Sequence, residues 1–178
     1  MENNCTFLYF AYGSNLLKER LQLRNPSAMV NCVAMLKDYK LVFGNYKGLA
    51  NDRWHGGVAT IEHSPGDEMW GVVWRMNMSD LESLDSQENV TLGAYNPVDV
   101  SVNTKGQELN CRTYIMYSCV YAPPSPHYLQ VRDLSLHQCL WLRALTVGGE
   151  IPYSTIPITT PKPSTSMCLP VLSDFASY

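Results

Sequence analysis

Short β-type runs joined by tight turns fill the first two thirds of the chain and limit the folds it can adopt. Gly57 to His63 and Glu68 to Met76 are two such runs, and the intervening Ser64-Pro65-Gly66-Asp67 has proline and glycine where turns prefer them, which predicts a β-hairpin. A second hairpin is predicted between the runs at 95–102 and 109–117. Because strands outnumber helices and neighbours are mostly hairpin-linked, we expect an α/β (α+β) fold, a small mixed, antiparallel-rich β-barrel with flanking helices.

A predicted strand, turn and helix near the start of the chain form a candidate binding loop. Thr6 to Ala11 is an apolar and aromatic run typical of a buried strand, and it ends in the turn Tyr12-Gly13-Ser14-Asn15. Leu16 to Arg24 is predicted to be a helix capped by the serine or the asparagine of this turn. Backbone N–H groups at a helix start bind anions, and the glycine would let a ligand approach the backbone closely. Many strand–helix turns contain the same residues, so a plain turn is the alternative.

Glu88 is the most informative single residue. The capping-box pattern Ser79-Asp80-Leu81-Glu82 predicts a helix that runs to about Glu88. On a helical wheel Glu88 shares one arc with Leu81, Leu84 and Asp85, while residues 82, 83, 86 and 87 share the other. Burial raises the pKa of a carboxyl group, as a general base working near neutral pH requires. A frayed last turn that leaves Glu88 in solvent is the alternative, and the wheel does not decide between them.

Two arginines and several aromatic residues carry weaker signals. Arg20 and Arg24 lie four residues apart near the apolar side of the first predicted helix, where they could receive a substrate carboxylate. A structural ion pair, or extension of the side chains into solvent, is the alternative that the spacing favours. The aromatic side chains expected in the core or in a pocket wall are Trp54, Trp70, Trp74 and Tyr114.

Composition and charge exclude several classes of function. Hydrophobic residues make up 46% and charged residues 16% of the 178 positions, which indicates a folded domain rather than a disordered chain. With a net charge of −3 and no basic patch, neither nucleic acid nor an anionic membrane is expected as a partner. Residues 1–4 lack the basic side chains of a signal peptide and the apolar run at 7–12 is too short to span a bilayer, so we expect a cytoplasmic protein.

The six cysteines and four histidines match no metal-binding or redox pattern. No C-x-x-C pair occurs, and the histidines are too scattered to complete a zinc-ligand set. Disulfide frameworks belong to secreted proteins, whereas the expected compartment is reducing. We therefore expect reduced structural thiols and no metal or cofactor.

A change of composition divides the chain into two predicted parts. After Arg143 charged residues become rare, proline, serine and threonine recur, and five prolines between positions 152 and 170 forbid a long helix. We expect one domain at residues 1–145 and a flexible, protease-sensitive tail at 146–178. Leu134 to Leu145, which is free of proline, has apolar residues at helical spacing and is predicted to end the domain with a short helix.

Several ordered sequence blocks resemble a single enzyme family. In chain order they are Phe10-Ala11-Tyr12-Gly13-Ser14-Asn15-Leu16, Leu23-Arg24-Asn25-Pro26-Ser27-Ala28, Trp54-His55-Gly56-Gly57, Ser64-Pro65-Gly66-Asp67-Glu68, Trp70-Gly71-Val72-Val73-Trp74, Ser83-Leu84-Asp85, Gln87-Glu88, and Ala122-Pro123-Pro124-Ser125-Pro126 with Tyr128. Their content, order and spacing resemble the γ-glutamylcyclotransferases over about residues 7–128.

The resemblance implies an activity and a set of site residues. The family is a class of lyases that convert γ-glutamyl amino acids to 5-oxoproline and a free amino acid in glutathione metabolism, without metal or cofactor. By this resemblance Glu88 is the catalytic acid/base, which takes a proton from the substrate α-ammonium group and returns one to the leaving amine. The implied substrate-binding residues are Tyr12, Gly13, Ser14, Asn15, Tyr95 and Tyr128. The implied partner is a small γ-glutamyl substrate, and a homodimer is left open.

Three departures from the family pattern bear on this interpretation. Asn89 stands where a glycine is expected after Glu88, and Asn96-Pro97 interrupts the strand expected after Tyr95, so either could shift the site. The family's Gly-Ala-Lys-Glu-Asn-Gly-Leu-Pro stretch and closing helix after Tyr128 are absent.

Three other functions remain open at this point. One is a cyclotransferase that prefers γ-glutamylamines or glutathione. Another is a non-catalytic or weakly active variant that keeps the pocket although its carboxy-terminal segment is altered. The last is a small β-rich interaction domain with an accidental pocket.

Overall fold

The computed structural model of the protein describes residues 5–131. The six strands are β1 (Thr6–Ala11), β2 (Met29–Tyr46), β3 (Val58–Asn77), β4 (Asn96–Thr104), β5 (Gln107–Ile115) and β6 (Cys119–Tyr121), and the helices are α1 (Lys18–Gln22) and α2 (Leu81–Gln87), with a helical segment at residues 126–131. None of the helices in this part of the chain is long and apolar enough to cross a membrane. The predicted helix at residues 134–145, the domain boundary at 145 and the predicted tail at 146–178 lie outside the described residues.

Five strands close into a barrel. Their order is β3-β1-β5-β4-β2, and the ring closes because β2 also pairs with β3, while β6 extends the sheet from β2. β1 runs parallel to β5, and the other neighbouring pairs are antiparallel. The predicted mixed, antiparallel-rich barrel with flanking helices is confirmed. Closure of the ring pairs the strand edges that an open sheet would expose.

The predicted hairpin turn at Ser64–Asp67 is wrong. Both flanking runs belong to the single long strand β3, and both pair with β2, whose register passes from Tyr39 opposite His63 to Lys37 opposite Glu68. The four residues between therefore bulge out opposite Asp38, and the Asp38 carboxylate accepts a hydrogen bond of 2.8 Å from the Gly66 N–H. Proline and glycine mark a bulge here instead of a chain reversal. The second predicted hairpin is confirmed, as β4 and β5 pair along their whole length.

Two apolar clusters lie on opposite faces of the barrel wall. The side chains of β1 alternate between them, with Phe10 in the cluster that fills the barrel and Tyr9 and Ala11 in the outer cluster. Leu21 of α1 and Leu84 of α2 are fully buried in the outer cluster. The two helices are thus fixed against the same outer face of the barrel.

The helices begin differently from the sequence expectation. α1 is shorter than the predicted helix at residues 16–24 and is preceded by a 3-10 turn at Ser14–Leu16, and neither helix has a side-chain cap. The Asp80 carboxylate instead accepts hydrogen bonds from the backbone N–H and the hydroxyl of Ser27, at 3.0 and 2.6 Å. The predicted capping box is therefore wrong: no side chain caps α2, and Asp80, within the predicted box, ties the helix to the loop after α1.

Two departures from the family pattern fit the fold without breaking it. Asn89 has φ of 51°, a left-handed conformation that glycine adopts freely and that asparagine tolerates better than most residues. Pro97 is the second residue of β4 and pairs in register with Tyr114, and proline is tolerated near the start of a strand. The expectation that Pro97 interrupts this strand is wrong.

The tie between Asp80 and Ser27 can be measured through stability. Asp80→Ala removes both hydrogen bonds and should lower the free energy of unfolding by about 1–3 kcal/mol, since bonds to a charged acceptor contribute about this much. Ser79→Ala is the matched control, because no side chain caps this helix, and it should change stability by less than about 0.5 kcal/mol. Urea unfolding followed by circular dichroism measures both. A larger loss of unfolding free energy for Ser79→Ala than for Asp80→Ala would show that Ser79 does cap the helix.

Candidate active site

One cavity brings together all seven residues that the sequence analysis assigned to the site. Its lining residues are Tyr9, Tyr12, Gly13, Ser14, Asn15, Ala59, Glu88, Tyr95, Tyr114 and Tyr128. They come from the end of β1 and the turn after it, from β3, from the end of α2, from the residue before β4, from β5 and from the helical segment 126–131. The cavity holds about 330 Å³ of atom-free space and opens to solvent.

Glu88 reaches this cavity because α2 ends just before it. Gln87 is the last helical residue, and the Glu88 backbone, with φ of −87° and ψ of 5°, already leaves the helix. The Glu88 N–H still bonds to the carbonyl of Leu84, whose side chain is fully buried. The last turn is thus held against the barrel, and the carboxyl group enters the cavity.

Asn15 fixes the position of the Glu88 carboxyl group. The Asn15 Nδ2 atom donates to Glu88 Oε1 at 2.8 Å and to the Tyr9 hydroxyl at 3.1 Å. The Asn15 Oδ1 atom accepts from Gln87 Nε2 at 2.8 Å, and Gln87 Oε1 accepts from Asn25 Nδ2 at 3.0 Å. Because Oδ1 of Asn15 faces a donor, its NH₂ group must face the carboxyl. A chain of three amides therefore holds Glu88 in place, and Asn15 serves this network instead of capping the helix.

The surroundings of Glu88 bring its ionisation into the neutral range. Burial among aromatic side chains raises the pKa of its carboxyl group to about 7. The positive charge of Arg20 and the hydrogen bond from Asn15 oppose this rise, and the negative charge of Asp85 adds to it. Near pH 7 both protonation states are accessible, so this carboxyl group can accept and return a proton.

The tyrosines of the cavity wall remain neutral phenols. Burial, with the negative charge of Glu88 as the next cause, raises the pKa of Tyr9 and Tyr12 well above the ordinary value. Burial also raises the pKa of Tyr95 and of Tyr128. The Tyr95 hydroxyl donates to the carbonyl of Ala59 at 2.6 Å, and that of Tyr12 donates to the carbonyl of Tyr114. These side chains therefore supply hydrogen bonds and walls without adding charge.

Gly13 makes room for Tyr128. A Cβ atom at this position would lie 2.9 Å from the Tyr128 hydroxyl and 3.3 Å from Cβ of Ala59. The sequence predicts that a ligand approaches the backbone at this glycine. In the structure the close neighbour is a tyrosine of the opposite wall, whose ring also packs edge-on against Trp54 at 4.7 Å between centroids.

An ion pair supports the cavity from the side of α2. Arg112 Nη2 bonds both carboxylate oxygens of Asp85, at 2.7 and 2.9 Å. Its Nε atom donates to the Tyr114 hydroxyl at 3.0 Å, and that hydroxyl donates to Asp85. Asp85, on the inward arc of the predicted wheel, is thus the residue that joins α2 to β5 beneath the site.

The two arginines identified in the sequence lie in different environments. Arg20 is 9% exposed and its guanidinium lies 5.3 Å above the Trp54 ring, whereas Arg24 is exposed. Arg20 forms no salt bridge among the described residues. The expected alternatives of an ion pair or of extension into solvent therefore do not describe Arg20.

Sequence reasoning missed three contributors to the site. Tyr9 belongs to the predicted buried strand, and a hydroxyl-bearing side chain in an apolar run was the available signal. Gln87 was placed on the outer arc of the wheel, but the helix ends there and the side chain turns to Asn15. Ala59 contributes through its backbone and carried no signal. Among the four aromatic residues expected in the core or pocket wall, Trp70 is instead 45% exposed.

A metal centre finds no support in the described part of the chain. No group of three or more histidine, cysteine, aspartate or glutamate residues at positions 5–131 could hold a metal ion. The cysteines described there, Cys5, Cys32, Cys111 and Cys119, are not paired with one another.

Comparison with known proteins identifies the family. The chain is 60% identical to the mouse gamma-glutamylcyclotransferase over 127 residues, which are 71% of this chain and 68% of that protein, and 58% identical to the human one over the same shares. The chain belongs to the γ-glutamylcyclotransferase family. A solved structure named gamma-glutamyl cyclotransferase matches with a TM-score of 0.75 and 48% identity, over 84% of this chain and 92% of that one. The model of the AIG2-like family matches residues 68–132.

The raised pKa of Glu88 predicts a characteristic loss of stability with pH. Between about pH 4.3, where the unfolded chain releases this proton, and about pH 7, where the folded protein does, the folded state retains an extra proton. Wild-type stability should therefore fall through this window as pH rises, relative to Glu88→Gln, which cannot ionise. We compare the free energies of unfolding of Glu88→Gln and the wild type. From pH 4 to pH 8 this difference should shift in favour of Glu88→Gln by up to about 3 kcal/mol.

Urea unfolding of both proteins at several pH values measures this gap. Glu82→Gln, which changes an exposed carboxyl group on the same helix, is the control and should follow the wild type. A gap that stays constant from pH 4 to pH 8 would show that the Glu88 carboxyl is not desolvated.

Proposed function

We propose that the protein converts γ-glutamyl amino acids to 5-oxoproline and a free amino acid, with Glu88 as the general acid/base. The observation that carries the proposal is a single carboxyl group with a pKa near 7, held by Asn15 in a tyrosine-walled cavity. The lining residues, all of them described, include no histidine or cysteine, so the cavity holds no Ser–His or Cys–His pair. This arrangement suits a reaction whose nucleophile belongs to the substrate.

The proposed reaction moves two protons between two nitrogens of one substrate. Ionised Glu88 takes a proton from the α-ammonium group, and the freed amine attacks the γ-carbonyl carbon to form the new C–N bond. As the bond to the leaving nitrogen breaks, Glu88 gives that nitrogen its first proton. The ring nitrogen then gives its second proton to the Glu88 carboxylate, which passes it to the released amine to form the ammonium group. Holding the amine against its own carbonyl makes the attack intramolecular, and such proximity is worth about 7–11 kcal/mol.

The turn at Gly13–Asn15 is proposed to bind the γ-glutamyl group. It lies in the cavity wall next to Glu88, and backbone N–H groups in such a position stabilise the oxyanion that develops on the γ-carbonyl oxygen. The phenols of Tyr95 and Tyr128, neutral because burial raises their pKa, would shape the wall against the substrate chain. This assigns binding to the turn and proton transfer to the carboxyl.

The biological setting is proposed from the same chemistry. A small γ-glutamyl substrate places this lyase reaction in glutathione metabolism. The acidic net charge supports an enzyme that does not bind nucleic acid. The cytoplasmic location stays a prediction. A homodimer stays a prediction.

Glu88→Gln is the direct test of the proton-transfer role. The amide preserves shape and can still accept from Asn15, but it cannot take a proton, so turnover of γ-glutamyl-alanine should fall by at least about 1,000-fold, within the range of general acid–base catalysis. Release of 5-oxoproline measured by chromatography gives the rate, with Glu82→Gln as the exposed carboxyl control.

Assays with γ-glutamyl-ε-lysine and glutathione extend this test to the leaving group. More than a tenth of the wild-type rate in Glu88→Gln would remove Glu88 from the mechanism. A wild-type protein inactive on all three compounds would favour the non-catalytic variant.

The pH dependence of the rate should report the same carboxyl group. The base must be ionised, so kcat/KM for γ-glutamyl-alanine should fall tenfold per pH unit below the Glu88 pKa of about 7. A steady-state profile from pH 5 to pH 8 measures the midpoint. An acid limb centred near pH 4.3, the value of an ordinary glutamate, would mean that a different environment surrounds the working carboxyl.

A further inference from the structure

Two arginines share one aromatic ring beside the cavity. The guanidinium carbon of Arg20 lies 5.3 Å from the centroid of Trp54 and that of Arg53 lies 5.8 Å from it. Neither guanidinium forms a salt bridge with a carboxylate of residues 5–131. Their charges repel, and the charge of Arg53 is, after burial, the next cause that lowers the pKa of Arg20. Two cations gathered on one ring without a counter-ion form an arrangement that an anion would stabilise.

Arg20 is the more unusual of the two. Its side chain is 9% exposed, and its Nε–H is buried without a hydrogen-bond partner. Burial lowers the pKa of this guanidinium to about 10, so it keeps its charge at neutral pH. A buried cation with an unsatisfied donor is costly unless a partner arrives. The missing partner is therefore expected to come from outside the described chain.

This pair of cations adjoins the cavity. The Trp54 ring packs on Tyr128, which lines the cavity, and Arg20 interacts electrostatically with Tyr128, Tyr9 and Glu88, all of them lining residues. No cationic side chain occurs among the lining residues themselves. Arg20 thus supplies positive charge to the wall, and the exposed Arg53 continues it outward.

The substrate class has an anion to place there. In a γ-glutamyl amino acid the leaving group carries its own carboxylate two bonds from the scissile nitrogen. The α-ammonium group must lie at Glu88, so the leaving amino acid points away from the base and toward the mouth of the cavity. We propose that Arg20 and Arg53, held on Trp54, form a subsite for the carboxylate of the leaving amino acid, an inference that rests on the proposed function. The subsite would favour γ-glutamyl amino acids over γ-glutamylamines.

A simpler role for Arg20 is to stabilise ionised Glu88. That role disappears in a Glu88→Gln protein, which has no charge to stabilise, whereas a carboxylate subsite persists. Binding measured in the Glu88→Gln background therefore separates the two, and it does so without turnover.

The test compares γ-glutamyl-alanine with γ-glutamyl-ethylamide, which is the same molecule with hydrogen in place of the leaving carboxylate. By titration calorimetry, the Glu88→Gln protein should bind γ-glutamyl-alanine at least about tenfold more tightly than it binds γ-glutamyl-ethylamide. Adding Arg20→Met should weaken the binding of γ-glutamyl-alanine by about 10- to 100-fold, the range expected for loss of a hydrogen bond between charged groups. The same change should alter γ-glutamyl-ethylamide by less than about threefold.

Arg53→Met should give a smaller loss with the same selectivity, and because this side chain is exposed the variant should fold even if Arg20→Met does not. Arg75→Met, an exposed arginine in β3, is the control and should change neither affinity. Equal losses for both ligands, no preference for γ-glutamyl-alanine before mutation, or an unselective Arg53→Met would each overturn the subsite. Wild-type protein that releases no 5-oxoproline while the binding preference holds would instead count against the proposed function alone.

Discussion

The hydrogen bond between Asn15 and Glu88 is the contact on which the site depends. Burying a carboxyl group in a cavity of aromatic side chains costs free energy unless the group is hydrogen-bonded. Asn15 does this, and it can do so because Gln87 and Asn25 fix the orientation of its amide. The asparagine follows β1 and the glutamate follows α2, so this bond also joins the barrel to the helix packed on it. Polar specificity here is built from neutral amides, which add no charge that would fix the carboxyl in one protonation state.

Closure of the barrel explains how distant segments share one cavity. β1 lies between β3 and β5, and the turn after β1 lines the cavity together with a residue of β5 and one from the first part of β3, which pairs with β2. Tyr114 and Ala59 enter the wall from these strands. The helical segment 126–131 completes it by bringing Tyr128 onto Gly13. No local stretch of sequence contains the site, although each segment of it is short.

The sequence predicted the parts of the fold and the site that rest on local pattern. The buried strand before Tyr12, the helix ending near Glu88 and the barrel class follow from periodicity and from the resemblance to a family. Patterns with two physical meanings failed. Proline and glycine at Ser64–Asp67 serve a bulge as readily as a turn, and only pairing with β2 distinguishes them. The side-chain directions of Gln87 and Arg20 depend on tertiary contacts that a helical wheel does not contain.

The position of β1 within the ring has a consequence for how the chain reaches this structure. Its partners lie far along the sequence, and one hydrogen bond, from the Thr113 hydroxyl to the carbonyl of Phe10, spans 103 positions. A contact between residues so far apart in sequence forms only after a long loop has closed. Loop closure costs entropy before the contact stabilises the chain, and folding is slower as a result. While the chain emerges from the ribosome, β1 must wait with both edges unpaired until β3 and then β5 are available. β1 is thus synthesised before its partner strands but joins the sheet after them, and the cavity at its end is among the last features to form.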